Sequence, residues 1–174
     1  MSKNPFPTAP VKSVQAGSVR FGGKAPLALI AGLLFPLAFA PYDLSPLLFV
    51  SVAAGFWCQQ QAGSGKEAFL RGWLYGLGMF GFGVSWVHVS MHDYGFMPLW
   101  MAIPFTAIFA AFLALFYGLT FSLSWRLGRS ALVFAGIWLL LDWLRGWLLT
   151  AFPWLYAGYA LIDTPLASLA PLGG

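Results

Sequence analysis

Charge is what this sequence has least of. Asp, Glu, Lys and Arg together make up 8% of its 174 residues, against roughly 25% in an ordinary soluble domain. So sparse a set cannot cover a water-facing surface, which excludes a soluble globular domain and leaves lipid as the solvent for much of the exterior. Cysteine is nearly missing too. Cys58 stands alone, so neither an internal disulfide nor a Cys-rich metal site can form. No His or carboxylate lies near it in sequence to activate the thiol, and it reads as core filler. There is no Ser-His-Asp order with usable spacing, no phosphate-cradling Gly loop and no nucleic-acid motif. No internal repeat is visible either, which removes support for an inverted-repeat transporter.

What is present is apolar: 60% hydrophobic and 18% aromatic residues. The pattern predicts an all-α integral membrane protein, a polytopic bundle of about five transmembrane helices with a Pro/Gly-rich C-terminal segment at the outer face. Residues 1–25 form a polar, basic, disordered leader, and 26–174 the membrane domain. Apolar runs cover Pro26–Ala40, Leu44–Cys58, Ala68–Val89, Met97–Leu127 with a bend at Pro104, and Ala131–Ala151. Ala38-Phe39-Ala40 imitates a signal cleavage site, but Pro41 would follow the cut, so the first run is read as retained. Gln59–Lys66 and His92–Phe96 read as loops, and Pro153 as the end of the last helix.

Every basic residue except Arg145 falls in the leader (Lys3, Lys12, Arg20, Lys24), near the second loop (Lys66, Arg71) or in the Arg126–Arg129 turn. The alternate loops hold Asp43, His92, Asp93 and Asp163. The positive-inside rule then places the N-terminus in the cytoplasm and Phe152–Asp163 on the outer, periplasmic side of a bacterial inner membrane.

Within this frame a few residues could carry more than hydrophobicity. Gly72, Gly76 and Gly83 share one face of the third helix, and Gly78, Gly81 and Ser85 another. Small residues at this spacing allow close helix packing, or flank a groove through which lipid gains access. His88 and His92 are spaced i, i+4 beside Asp93, which resembles half of a metal site, but no third ligand follows. No metal or cofactor is therefore expected, and the histidines read as interfacial, with Trp86 in the aromatic belt. Asp142 and Arg145 lie three apart on one face of the fifth helix. A central arginine costs about 2.5–3.5 kcal/mol on insertion scales and must pair, snorkel or meet water. The pair either fixes helix packing or grips a lipid headgroup. Phe152, Pro153, Trp154 and Tyr159 suit the headgroup layer.

Several of these stretches together resemble the apolipoprotein N-acyltransferases. They are Phe39-Ala40-Pro41-Tyr42, the run Gly76-Leu77-Gly78-Met79-Phe80-Gly81-Phe82-Gly83-Val84-Ser85-Trp86-Val87, Trp143-Leu144-Arg145-Gly146-Trp147, Thr150-Ala151-Phe152-Pro153-Trp154, Gly158-Tyr159, and Pro165 through Gly174. The likeness runs from about Pro26 to the last residue in the family's order. Asp142 stands where the family has Glu, and Ala151 where it has Gly, both mild changes.

The resemblance implies an enzyme that takes an acyl chain from a phospholipid onto a cysteine as a thioester. The acyl chain then passes to the α-amino group of a diacylglyceryl-cysteine on a lipoprotein precursor. The family's Glu-Lys-Cys catalytic set belongs to a periplasmic nitrilase-like domain, to which no residue here corresponds, Cys58 included. Trp86, His88, His92, Asp142, Arg145, Pro153, Trp154 and Tyr159 are then the candidates at the mouth of a lipid cavity, in a part that is inactive by itself. The alternative is a small membrane scaffold or lipid-binding protein with the same fold.

Overall fold

The computed structural model describes residues 24–148 and 152–173; the expected leader as far as residue 23, and Thr150 and Ala151, lie outside the described residues. Among the described residues every regular element is helical. In chain order these are α1 (Ala25–Leu34), a 3-10 turn (Phe35–Ala38), α2 (Pro46–Gln60), α3 (Gly65–Gly83) and α4 (Val87–Asp93). There follow α5 (Leu99–Leu127), α6 (Ala131–Arg145), 3-10 turns at Ala157–Leu161 and Pro165–Leu169, and α7 (Ala170–Gly173).

The helices follow the apolar runs, but their ends differ for local reasons. The polar loop expected over Gln59–Lys66 shrinks to residues 61–64. Ser64 caps α3 by accepting from the Glu67 amide at 3.2 Å, and the Glu67 carboxylate returns to the Gly63 amide at 2.8 Å. This reciprocal cap starts the helix three residues before Ala68. At its other end α3 stops at Gly83, and the expected loop at His92 is instead the end of α4. α6 ends at Arg145 with Gly146 as its cap, well before Pro153.

Of the five runs expected to span, one helix among the described residues, α5 with its 29 residues, is long and apolar enough to cross a membrane by length and composition. α1 ends at Leu34 because Pro36 has no amide to give the Gly32 carbonyl, and Phe35 turns to it in 3-10 geometry. α2 and α6 have 15 residues each, about 22 Å at 1.5 Å per residue, which is short of a ~30 Å hydrocarbon core. α3 carries Lys66, Glu67 and Arg71 in its first two turns. The class is all-helical, and by length and composition α5 is the one described helix that qualifies as a crossing.

α3 is the centre of the bundle, packed most extensively against α5 and next against α1. Gly72 and Gly76 lie on α5: a Cβ on Gly76 would come within 2.7 Å of the Ala114 Cα. Gly78 lies on α1 together with Gly32, and a Cβ there would stand 2.9 Å from the Leu33 amide nitrogen. Gly83 has a different neighbour, Leu155 with Pro36, and Gly81 meets nothing within 4 Å. Between the helices Tyr75, Tyr117, Phe121, Phe134 and Trp138 form an aromatic core, with the Tyr117 and Trp138 ring centroids 4.8 Å apart.

The two ends of the bundle differ in chemistry. At one, Lys24 donates to Gln61 (2.9 Å), and Trp125 and Arg129 donate to the Ala62 carbonyl (2.9 and 3.2 Å). Gln60 also reaches the Arg129 carbonyl. This gathers the start of α1, the α2–α3 turn and the α5–α6 turn. At the other end Asp43, Asp163 and Thr164 line one small cleft.

Candidate functional site

Beside that acidic cleft lies a cavity of about 760 Å³. Three chain segments make its walls. The turn after α1 contributes Phe39, Pro41 and Tyr42, and the end of α3 contributes Phe82, Gly83, Ser85 and Trp86. The stretch after α6 contributes Pro153, Trp154, Leu155 and Tyr159. Aromatic rings join the segments: Trp86 to Trp154 with centroids 5.4 Å apart, and Tyr42 to Phe82 at 6.1 Å. Trp154 also stacks on Phe152 at 5.9 Å. Leu155 has a positive φ of 62° and turns inward, buried against Gly83. A cavity lined this way offers broad apolar contact and few hydrogen bonds, which suits a hydrocarbon chain better than a polar metabolite.

Behind the Trp154 wall sits Arg145, fully buried at 1% exposed. Its Nη1 donates to the Phe152 and Trp154 carbonyls, both at 2.8 Å, and its Nη2 to Asp142 Oδ1 at 3.2 Å. Asp142 accepts further from the Tyr117 hydroxyl (3.2 Å) and from Trp138 Nε1 (3.0 Å). The guanidinium lies over the rings of Tyr156 and Phe80, at 4.7 and 5.3 Å from their centroids. Burial pushes the Tyr156 phenol up, with the Arg145 cation pulling the other way, so the ring stays neutral.

The cavity thus brings together Trp86, Pro153, Trp154 and Tyr159, with Gly83 beneath them. The remaining candidates lie elsewhere. His88 lines a separate cleft of about 210 Å³ with Gly81, Ser85 and Thr106. His88 and His92 do share α4, but each Nδ1 is committed to a backbone carbonyl, of Ser85 and of Met97 respectively. Asp142 and Arg145, candidates for the mouth by sequence, stand behind the wall, where every polar side-chain atom but the buried Arg145 Nε has a protein partner. Phe39, Tyr42, Phe82 and Leu155 are wall residues that residue-by-residue reading passed over. The signals were two, the Phe39–Tyr42 motif and the Gly76–Val87 run that holds Phe82, and nothing local in either points to a contact with the stretch after α6.

A family model described as the apolipoprotein N-acyltransferase N-terminal domain matches residues 31–174. The chain belongs to this family. It is 48% identical over 155 residues to the apolipoprotein N-acyltransferase of Azotobacter vinelandii, covering 85% of this chain and 30% of that protein. The Pseudomonas syringae protein of the same name is 44% identical over 158 residues, with 85% and 30% covered. That of Coxiella burnetii is 44% identical over 157 residues, with 85% and 32% covered. The chain therefore spans about 30% of the length of the apolipoprotein N-acyltransferases it matches. The matched residues include every segment that walls the cavity.

Proposed function

We propose that this chain is the lipid-holding membrane part of an apolipoprotein N-acyltransferase, seated in a bacterial inner membrane with the N-terminus in the cytoplasm. Residues 26–174 form one domain that crosses about five times, the short helices served by local thinning of the bilayer. Outward-facing side chains support this reading: Leu132, Leu139 and Trp143 on α6 are 86%, 69% and 61% exposed, and Ile108 on α5 is 65% exposed. Apolar bands of that extent are untenable in water. The basic end with Lys24 and Arg129 faces the cytoplasm, and the end with Asp43, Asp163 and the aromatic cavity faces the periplasm.

The reaction served is a two-step acyl transfer. A thiolate displaces the glycerol oxygen of a phospholipid ester, giving a thioester and a lysophospholipid. The α-amino group of a diacylglyceryl-cysteine then takes the acyl group and frees the thiol. This chain contributes no bond-making residue; Cys58, buried and with its carbonyl held by Arg71, takes no part. Its work is to hold acyl chains of the phospholipid donor and the lipoprotein precursor at the outer surface, against Trp86, Pro153, Trp154 and Tyr159. The cavity itself is the observation that carries this reading.

The test is direct. The purified chain in detergent should bind phosphatidylethanolamine with brominated acyl chains, seen as quenching of tryptophan fluorescence. Trp86→Ala and Tyr159→Ala should each weaken binding several-fold, and no N-acylation of a diacylglyceryl peptide should occur. Unchanged binding in both variants sinks the cavity assignment, and acyl transfer by the chain alone sinks the division of labour.

A further inference from the structure

We propose that Arg145 is a positioning residue, which sets the fit of the lipid cavity by holding its Phe152–Trp154 wall from behind. This rests on the cavity's role as a lipid site. The stretch from Phe152 to Tyr156 has no helix to fix it. Arg145 grips it at two carbonyls, of Phe152 and of Trp154, with one nitrogen at 2.8 Å from each. The other terminal nitrogen is held by Asp142.

The geometry calls for an arginine and not merely a cation. A guanidinium is planar, with its donors in a fixed fork, so the direction to Asp142 dictates the direction to the two carbonyls. A lysine ammonium is a single point with rotating donors and transmits no such direction.

Asp142 is itself fixed by its neighbours, since Tyr117 and Trp138 fill its two oxygens. The line continues inward. The Tyr117 ring packs on Tyr75 (5.9 Å), whose hydroxyl shares a 2.8 Å hydrogen bond with Ser51, and Ser51 donates to the Ala31 carbonyl at 2.6 Å. Side chains from α2, α3, α5 and α6 therefore stand in series behind one cavity wall, ending on the α1 backbone. Lipid touches Trp154; Arg145 acts only through it.

The discriminating variant is Arg145→Lys, which keeps the charge and loses the fork. In the purified chain its helical circular dichroism should match wild type. Binding of the brominated phosphatidylethanolamine should weaken about tenfold, as for losing a charged hydrogen bond. The 19F resonance of Trp154 in 5-fluorotryptophan-labelled protein, assigned with Trp154→Phe, should shift. Leu139→Ala, far from the cavity on the outer face of α6, should change neither.

If Trp154→Ala weakens binding while a folded Arg145→Lys binds like wild type with an unmoved Trp154 signal, the positioning role is overturned and the lipid cavity survives. If Trp154→Ala binds like wild type, the lipid reading falls. The positioning geometry is then judged on the Trp154 resonance alone, and an unshifted signal in Arg145→Lys overturns it too. Should Arg145→Lys fail to fold, Tyr117→Phe keeps the ion pair and removes one brace from Asp142. It should move the same signal and weaken binding about two- to threefold; wild-type values in both overturn the proposal.

Discussion

Among the described residues two arginines are buried, and each is paired with a carboxylate about one turn back on its own helix. Arg71 is 4% exposed and pairs with Glu67; Arg145 is 1% exposed and pairs with Asp142. Their surroundings separate them. Glu67 has a side chain 23% exposed at the basic end, close to the Ser64 cap and the short α2–α3 turn. Arg71 donates from there to the Cys58 carbonyl at 2.7 Å, stapling the end of α2 to α3. Arg145 lies at the aromatic end, where its carboxylate has two further donors and its own targets are carbonyls of a non-helical stretch. The same sequence device ties helix to helix at one end and helix to cavity wall at the other. A buried ion pair is thus defined less by its charges than by the third group it reaches.

The comparison can be broken by truncating each arginine. Arg145→Ala leaves a buried carboxylate without its cation and should cost about 3–5 kcal/mol. Arg71→Ala leaves a carboxylate that water can still reach, and should cost about 1–3 kcal/mol, the scale of lost charged hydrogen bonds. Thermal unfolding of the detergent-solubilised chain measures both, and equal losses would dissolve the distinction. Ser64→Ala removes the cap that anchors Glu67 and should cost about 1 kcal/mol by the same measurement, leaving the Trp154 signal in place. Raising the salt concentration to about 1 M compresses the Debye length to ~3 Å. That should narrow the gap between wild type and Arg71→Ala by a few tenths of a kcal/mol, while the gap to Arg145→Ala stays as it was.

Much of this was readable from residue order. Helical class follows from uninterrupted apolar runs, and the spacing of Asp142 and Arg145 puts them on one helix face. The Ser64-x-x-Glu67 capping pattern was present too, but it lay inside a stretch so polar that it read as loop. What could not be read was where Arg145 points. Its partners on Phe152 and Trp154 are backbone carbonyls, and every residue has one, so no side-chain pattern marks them. Nor did the helix lengths follow from hydropathy. Pro36 cuts α1 short, Gly146 ends α6 early, and α3 begins in charged residues. The cavity walls come from three distant segments whose aromatics, taken singly, look like ordinary interfacial anchors.

The glycines of α3 have a mechanical consequence. Where Gly76 meets the Ala114 backbone and Cβ, and Gly78 meets the α1 backbone, α3 places no side chain between the helices. A slide of one residue along either seam would drive Tyr75, Leu77 or Met79 into a gap with no room for even a Cβ from α3. α3 is therefore locked in rotation and in translation, and with it Phe82 and Gly83 at its outer end. The opposing wall, carried on Phe152–Trp154, is held by hydrogen bonds, which can be exchanged one at a time. Of these two opposing walls one is fixed and one movable, and any change in the gap between them must come from the Trp154 side.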